Sequence, residues 1–289
     1  MEHQDTRHIE RGLGDWMRAR LPLGLAEFVM FILKQGWACL FGGLLLGALL
    51  LSKAVWQADW VIARYDALLA FALMVQALFL WLRLESWNEA KVILLFHLTG
   101  TAMELFKTSA GSWSYPEPAI FKLMGVPLFS GFMYASVGSY MARVIRIFDM
   151  RFAPYPPFWM TVLLAVAIYC NFFAHHYLPD IRLGLFAATL LLFARTRIWF
   201  TIGPRPYWMP LPLAALLTSG FLWVAENIGT GTGTWLYAGQ NILDRVSFAK
   251  MGSWYLLLYV SFVTVTLVYR SALSTVALHA GQKNPQQPV

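Results

Sequence analysis

The sequence predicts an all-α fold: a polytopic membrane bundle of about eight helical spans, arranged as two parallel four-helix repeats. Three observations predict it. Hydrophobic residues fill 58% of the 289 positions and charged residues only 13%, with a mean hydropathy of +0.56, whereas an ordinary soluble domain carries about 25% charge. The apolar residues gather in eight blocks separated by short charged or Pro/Gly-containing stretches. One polar motif occurs twice, 122 residues apart, each time at the end of an apolar block.

Residues 1–27 read as a cytoplasmic segment. Met1 to Arg20 is polar, carries both charge signs and has no early apolar core, so it is not a secretory signal. Asp15-Trp-Met-Arg-Ala-Arg-Leu-Pro reads as a short helix lying on the membrane surface. Residues 28–274 form a single transmembrane domain with halves 28–150 and 151–274. Its blocks are Phe28–Leu51, Ile62–Leu82, Val92–Phe106, Leu123–Val144, Phe158–Tyr177, Leu183–Trp199, Met209–Ala225 and Ser253–Tyr269. A span takes roughly 20 helical residues, with a range of about 17–25. The third and seventh blocks are short. The sixth is clean only from Leu183 to Ala194, and spans if Arg182, Arg195 and Arg197 snorkel to the headgroups. Residues 275–289 read as a disordered cytoplasmic tail.

Charge sets the orientation. Fifteen lysines and arginines fall on the side of the N-terminus and seven on the other. The positive-inside rule then places both termini in the cytoplasm of a plasma (inner) membrane, with an even number of spans. The formal net charge of +7 is therefore a topology signal, with no nucleic-acid partner implied; the partner is the lipid bilayer. Cys39 and Cys170 fall inside separate blocks, which suits neither a disulfide framework nor a zinc motif.

The repeated motif carries the chemistry. Its first copy runs Glu104-Leu-Phe-Lys-Thr-Ser-Ala-Gly111-Ser-Trp113-Ser-Tyr115; the second runs Glu226-Asn-Ile-Gly-Thr-Gly-Thr-Gly233-Thr-Trp235-Leu-Tyr237. Glu, Thr, Gly, Trp and Tyr share their offsets. Downstream, Phe121-Lys-Leu-Met124-Gly125 answers Phe248-Ala-Lys-Met251-Gly252, and an arginine follows each glycine by eighteen residues, Arg143 and Arg270. Four blocks per period preserve direction, so the repeats are expected to be parallel. An ionisable residue at membrane depth marks a site by default. His97, Thr101, Glu104 and Thr108 share one helical face. Glu104, Glu226 and His97 are the candidate catalytic residues. Trp113, Tyr115, Trp235, Tyr237, Thr108 and Thr230 are the candidate substrate contacts.

Plainer readings stand beside these. The four aromatics suit an interfacial belt, the glutamates suit hydrogen bonding to the loop amides, and His97 suits a satisfied core position. Lys107 is placed to neutralise Glu104, but Gly229 stands at the equivalent point of the second copy. Asn171 and His175 share a face, yet no compact ligand spacing supports a metal. No phosphate loop follows a strand and no nucleophile elbow or HExxH is present. No cofactor is expected.

The run Phe96-His-Leu-Thr-Gly-Thr-Ala-Met-Glu104, with Ser112-Trp-Ser-Tyr-Pro-Glu-Pro118 and Met124-Gly-Val-Pro-Leu128, resembles the YoaT-like family of bacterial membrane proteins. That resemblance implies an architecture rather than an activity. More remotely, the order Glu, Gly, Tyr followed by Gly125-Val126-Pro127 is similar to integral-membrane carotenoid hydratases and cyclases. Those carry a Gly-Pro-Phe-Gly-type loop where this chain has Ser112-Trp113-Ser114.

Two functions suit the pattern, beside a third, a scaffold or assembly factor with no turnover. One is a membrane enzyme performing acid–base chemistry on an apolar lipid or isoprenoid. Burial disfavours the charged form of a carboxyl group, which suits it to general-acid work, and aromatic faces stabilise a carbocation. The other is a proton-coupled carrier of a small molecule. Either function expects the two motifs to face one cavity in the outer half of the membrane.

Overall fold

The computed structural model describes residues 4–57, 59–203, 206–241 and 244–276, with the backbone alone for residues 4–11; the expected tail beyond residue 276, together with the counted charges Arg205 and Lys283, lies outside them. Helix α1 (Gln4–Arg20) takes in most of the short helix read at Asp15–Pro22 and begins well before it. It packs Met17 against Ala26 and Met30 of α2 (Leu23–Ala38). The first apolar block is not one rod. Helices α2 and α3 (Leu40–Val55) meet at Cys39 with a bend of 67°, where Gly36, Gly42 and Gly43 remove the side chains that stiffen a helix.

Helix α4 (Arg64–Trp81) leads into α5 (Trp87–Ser109), which opens on a capping box between Ser86 and Glu89. Strand β1 (Trp113–Ser114) follows. Strands β2 (Lys122–Leu123) and β3 (Val126–Pro127) make a tight hairpin. Met124 and Gly125 form its turn with φ of 49° and 85°, positive at both central residues as a two-residue hairpin turn of the primed type requires. Helix α6 (Phe129–Ile147), strand β4 (Arg151–Ala153), α7 (Phe158–Ala174) and α8 (Arg182–Phe193) come next. Strands β5 (Arg197–Thr201) and β6 (Pro206–Pro210) precede α9 (Leu211–Gly231), β7 (Leu236–Tyr237) and α10 (Ala249–Val268).

Two expectations are corrected. The fold is mostly helical, but it is not all-α: β4, β5 and β6 form a three-stranded antiparallel sheet. The sixth block, expected as Leu183–Trp199, stops being helical at Phe193. Its end, Arg197-Ile-Trp-Phe-Thr, is rich in β-branched and aromatic residues and pairs on both edges. Among the described helices, α4, α9 and α10 are long and apolar enough to cross a membrane, and the bent α2–α3 pair makes a fourth. Helices α7 and α8 are apolar but shorter. Helix α5 exceeds them in length but carries Glu89, Lys91, Glu104 and Lys107.

Helices α5 and α6 form the centre of the molecule. A Cβ on Gly138 would lie 2.7 Å from the Phe96 ring, and one on Gly131 2.4 Å from both His97 Nδ1 and Thr101 Oγ1. Only glycine permits that approach. At the end of the pair remote from Glu104, Arg143 is fully buried against Glu85 at 3.4 Å, and Arg146 reaches Glu89 at 2.8 Å. Arg143, one of the charges assigned to the cytoplasmic side, is thus an interior ion-pair partner. Its repeat counterpart Arg270 lies over the Phe158 ring at 3.7 Å.

Candidate paired glutamate site

Glu104 lies in the last turns of α5, 2% exposed. Three side chains donate to its carboxylate. Trp113 Nε1 and Tyr115 Oη bond Oε2 at 2.6 and 2.8 Å, and Tyr134 Oη bonds Oε1 at 2.6 Å. Glu226, buried near the end of α9, has a parallel set. Trp235 Nε1 and Tyr237 Oη bond Oε1 at 2.9 and 2.6 Å, and Trp254 Nε1 bonds Oε2 at 3.2 Å. Hydrogen bonds to a charged group are worth about 1.5–3 kcal/mol each, so these donors fix the carboxylates firmly.

The two sets interlock. Strand β1 pairs antiparallel with β7, Trp113 opposite Tyr237 and Ser114 opposite Leu236. Ser114 and Leu236 are themselves 122 residues apart, so the ladder maps onto itself when the motifs are exchanged. The Trp113 and Tyr237 rings meet edge to face at 5.8 Å, and Tyr134 and Trp254 lie 6.4 Å apart. The exchange breaks at one point. Ala238 N donates to Ser112 O, but the equivalent donor would be Pro116, which has no N–H. Tyr65 Oη takes its place, donating to Thr234 O at 2.7 Å.

The first turn of α4 clamps both loops. Arg64 reaches Glu117 at 2.6 Å and Thr234 Oγ1 at 3.1 Å. Asp66 accepts from Ile120 N and Phe121 N at 2.8 and 2.9 Å. Lys122 donates to Tyr115 O and Glu117 O; burial holds its ammonium below the ordinary lysine range, opposed by Glu117.

Both glutamates line one cavity of about 1070 Å³. Trp113, Tyr115, Tyr134, Trp235, Tyr237 and Trp254 line the same end. The walls beyond are mostly apolar and reach Met150, Phe152 and Phe200 beside the three-stranded sheet. Among the described residues no three of His, Cys, Asp and Glu converge as a metal set. Asn171 instead bonds Asp180, and His175 bonds the Asn171 carbonyl.

The proposed positions therefore divide. Glu104, Glu226, Trp113, Tyr115, Trp235 and Tyr237 come together, the aromatics turned to the acids rather than standing as a belt. The acids bond these side chains rather than loop amides. His97 stands against Phe132, ring centres 4.5 Å apart, with Nδ1 unpartnered. Thr108 Oγ1 is also unpartnered, and Thr230 Oγ1 is spent on the Glu226 carbonyl. Lys107 does not pair with Glu104; it contacts His176 Nε2 at 3.0 Å. Tyr134 and Trp254 escaped the sequence reading because they sit on α6 and α10 at unequal distances from Gly125 and Gly252. Arg64 and Tyr65 escaped it because only tertiary packing brings them to the loops.

Fold and site together define a mostly helical protein with several apolar helices of membrane-crossing length, built round two interlocked glutamate–aromatic clusters. The chain belongs to the family described as "Protein of unknown function (DUF817)", which matches residues 27–262. It is similar to the "Uncharacterized protein YoaT" of Bacillus subtilis (strain 168), 40% identical over 242 residues, covering 83% of this chain and 91% of that protein. No solved structure matches. The family match brings no activity with it, and the likeness to carotenoid hydratases and cyclases is no part of what it shows.

Proposed function

We propose that this chain is an inner-membrane protein of about eight spans, two parallel halves with both termini cytoplasmic, that performs acid–base chemistry on an apolar lipid or isoprenoid. One observation carries the reading: two buried carboxylates with interlocked aromatic donor sets stand at one end of a long apolar cavity. The duplication is supported by the ladder centred on Ser114 and Leu236.

Donor chemistry assigns the roles. An indole N–H only donates, whereas a phenol hydroxyl also accepts. Oε1 of Glu104 faces Tyr134 alone, so a proton there finds an acceptor. Each oxygen of Glu226 faces an indole, and a proton on Oε2 would oppose the Trp254 N–H. Glu104 is therefore the acid and Glu226 the carboxylate. In the forward step a proton passes from Glu104, through the Tyr134 hydroxyl, to a carbon–carbon double bond. The carbocation rests on the Trp and Tyr faces. Loss of a proton from the neighbouring carbon to Glu226 gives the isomer, and return of that proton from Glu226 to Glu104 resets the site, with no other reactant consumed. His97, which makes no bond to Glu104, has no part in this relay.

Lipid extracts of a deletion strain test the reading. An isoprenoid or lipid species should accumulate or vanish, with restoration by the wild-type gene and not by Glu104→Gln. An unchanged profile would count against the enzyme. The cavity's reach from the glutamates to Phe200 favours the second reading, a proton-coupled carrier. That reading needs proton-linked flux in proteoliposomes, abolished by Glu104→Gln.

A further inference from the structure

A group of cations at the glutamate end of the cavity is left unused by that chemistry. Lys107, His176, Arg182 and Lys250 all line it. Lys107 is 2% exposed. Its polar contact is His176 Nε2 at 3.0 Å, and its ammonium lies 4.0 Å from the centre of the Phe172 ring. Ser112 Oγ shares the same imidazole nitrogen at 3.2 Å. Lys250 lies 3.9 Å over the Tyr237 ring. Among the described residues neither lysine takes part in an ion pair. Arg182 gives one nitrogen to Asp180 at 3.1 Å and keeps the rest of its fork. Lys107 feels both Lys250 and Arg182 as like charges.

A buried charge is costly unless it is paired, and like charges add to that cost. The nearest acids do not relieve it. Glu226 attracts Lys250 at longer range, but the six hydrogen bonds accepted by Glu104 and Glu226 come from indoles and phenols. An anion entering the cavity would meet two ammonium groups, a guanidinium and an imidazole. These offer more N–H groups than a carboxylate has lone-pair positions, about four. A phosphate carries roughly −1.5 to −2 charge and three strong acceptor oxygens, and guanidinium binds it in bidentate fashion.

We propose that Lys107, His176, Arg182 and Lys250 form a receptor for a phosphate-class headgroup whose apolar chain lies in the cavity below. The proposal rests on the lipid reading above and narrows it to phosphorylated lipids. The headgroup holds one end of the chain, and the first double bond falls beside Tyr134. The volume suits a guest with a long chain: pockets for drug-sized ligands run from about 300 to 1,000 Å³, and this one, about 1070 Å³, lies just above that range.

The test is a tryptophan-fluorescence titration of the full-length protein in detergent, since Trp113, Trp235 and Trp254 line the cavity. The probes are farnesyl diphosphate, farnesol and inorganic diphosphate. Farnesyl diphosphate should bind at least about tenfold more tightly than farnesol, the scale of one or two charge-assisted hydrogen bonds. Lys107→Gln with Lys250→Gln should erase that advantage and leave farnesol binding within about twofold, because the apolar walls are untouched. Lys107→Arg with Lys250→Arg should keep it. Equal binding of farnesyl diphosphate and farnesol to the wild type overturns the receptor and leaves the apolar chamber standing. Failure of both to bind overturns the lipid reading as well. Inorganic diphosphate binding as tightly as farnesyl diphosphate makes the ligand a free anion and overturns the headgroup assignment.

Discussion

At the residue scale, the two glutamates look alike in sequence and differ in what surrounds them. Replacing Glu104 by Gln leaves an oxygen for Trp113 and Tyr115 and turns the new NH₂ toward Tyr134, whose hydroxyl accepts. Replacing Glu226 by Gln sets that NH₂ against one indole N–H or the other. An unmade buried bond costs about 1–3 kcal/mol. Glu226→Gln should therefore lower the thermal midpoint in detergent clearly, and Trp254→Phe should restore part of the loss. Glu104→Gln should stay near wild type in the same melt. Equal losses would remove the acid and carboxylate assignment. Gly229 belongs to the same comparison. A Cβ there would come 1.8 Å from the Trp235 ring, so the second copy of the motif has glycine where the first has Lys107. Gly229→Ala should destabilise by about 1–3 kcal/mol, the usual cost of overpacking. Paired with Trp235→Phe it should cost less than the two single changes summed.

At the scale of elements, the site depends on a helix outside the duplicated motif, α4. The motif and its loops were legible because matching offsets are visible along the chain. The clamp was not, because Arg64, Tyr65 and Asp66 lie far upstream and reach residues 117–121 and 234 only through packing. The clamp also explains a departure from symmetry, since Tyr65 serves the carbonyl that Pro116 leaves unpaired. Asp66→Ala strips the partners from two backbone N–H groups, Ile120 and Phe121. Hydrogen exchange at these amides should quicken by about tenfold or more, as a hydrogen bond to a charged group is lost. Exchange in α10 should hold. The three-stranded sheet was missed for a different reason. A short run such as Arg197–Thr201 shows no period that separates a strand from a helix end, and its apolar neighbours in α8 invited the longer helix.

For the whole molecule, composition gave the helical class, and the apolar blocks located the helices with ends that miss by up to six residues. The bend at Cys39 and the interior place of Arg143 depend on contacts between helices, which single-chain patterns do not encode. What remains is how the surface meets its solvent. Leu51, Trp81, Leu183, Leu191 and Phe221 are each more than 60% exposed. Large exposed apolar areas on a water-soluble monomer are unusual, whereas in lipid they are the natural outer face. Cys170, free and exposed on α7, reports which solvent is present. In lipid it is out of reach of a membrane-impermeant reagent, which reacts only with thiols that meet water. In a Cys39→Ala background, a membrane-impermeant maleimide should label Cys170 at least about tenfold more slowly in sealed proteoliposomes than after SDS denaturation, the contrast expected when the reactive thiolate is withheld from water. Rapid labelling in the intact vesicle would put α7 in water and take the fifth span out of the eight.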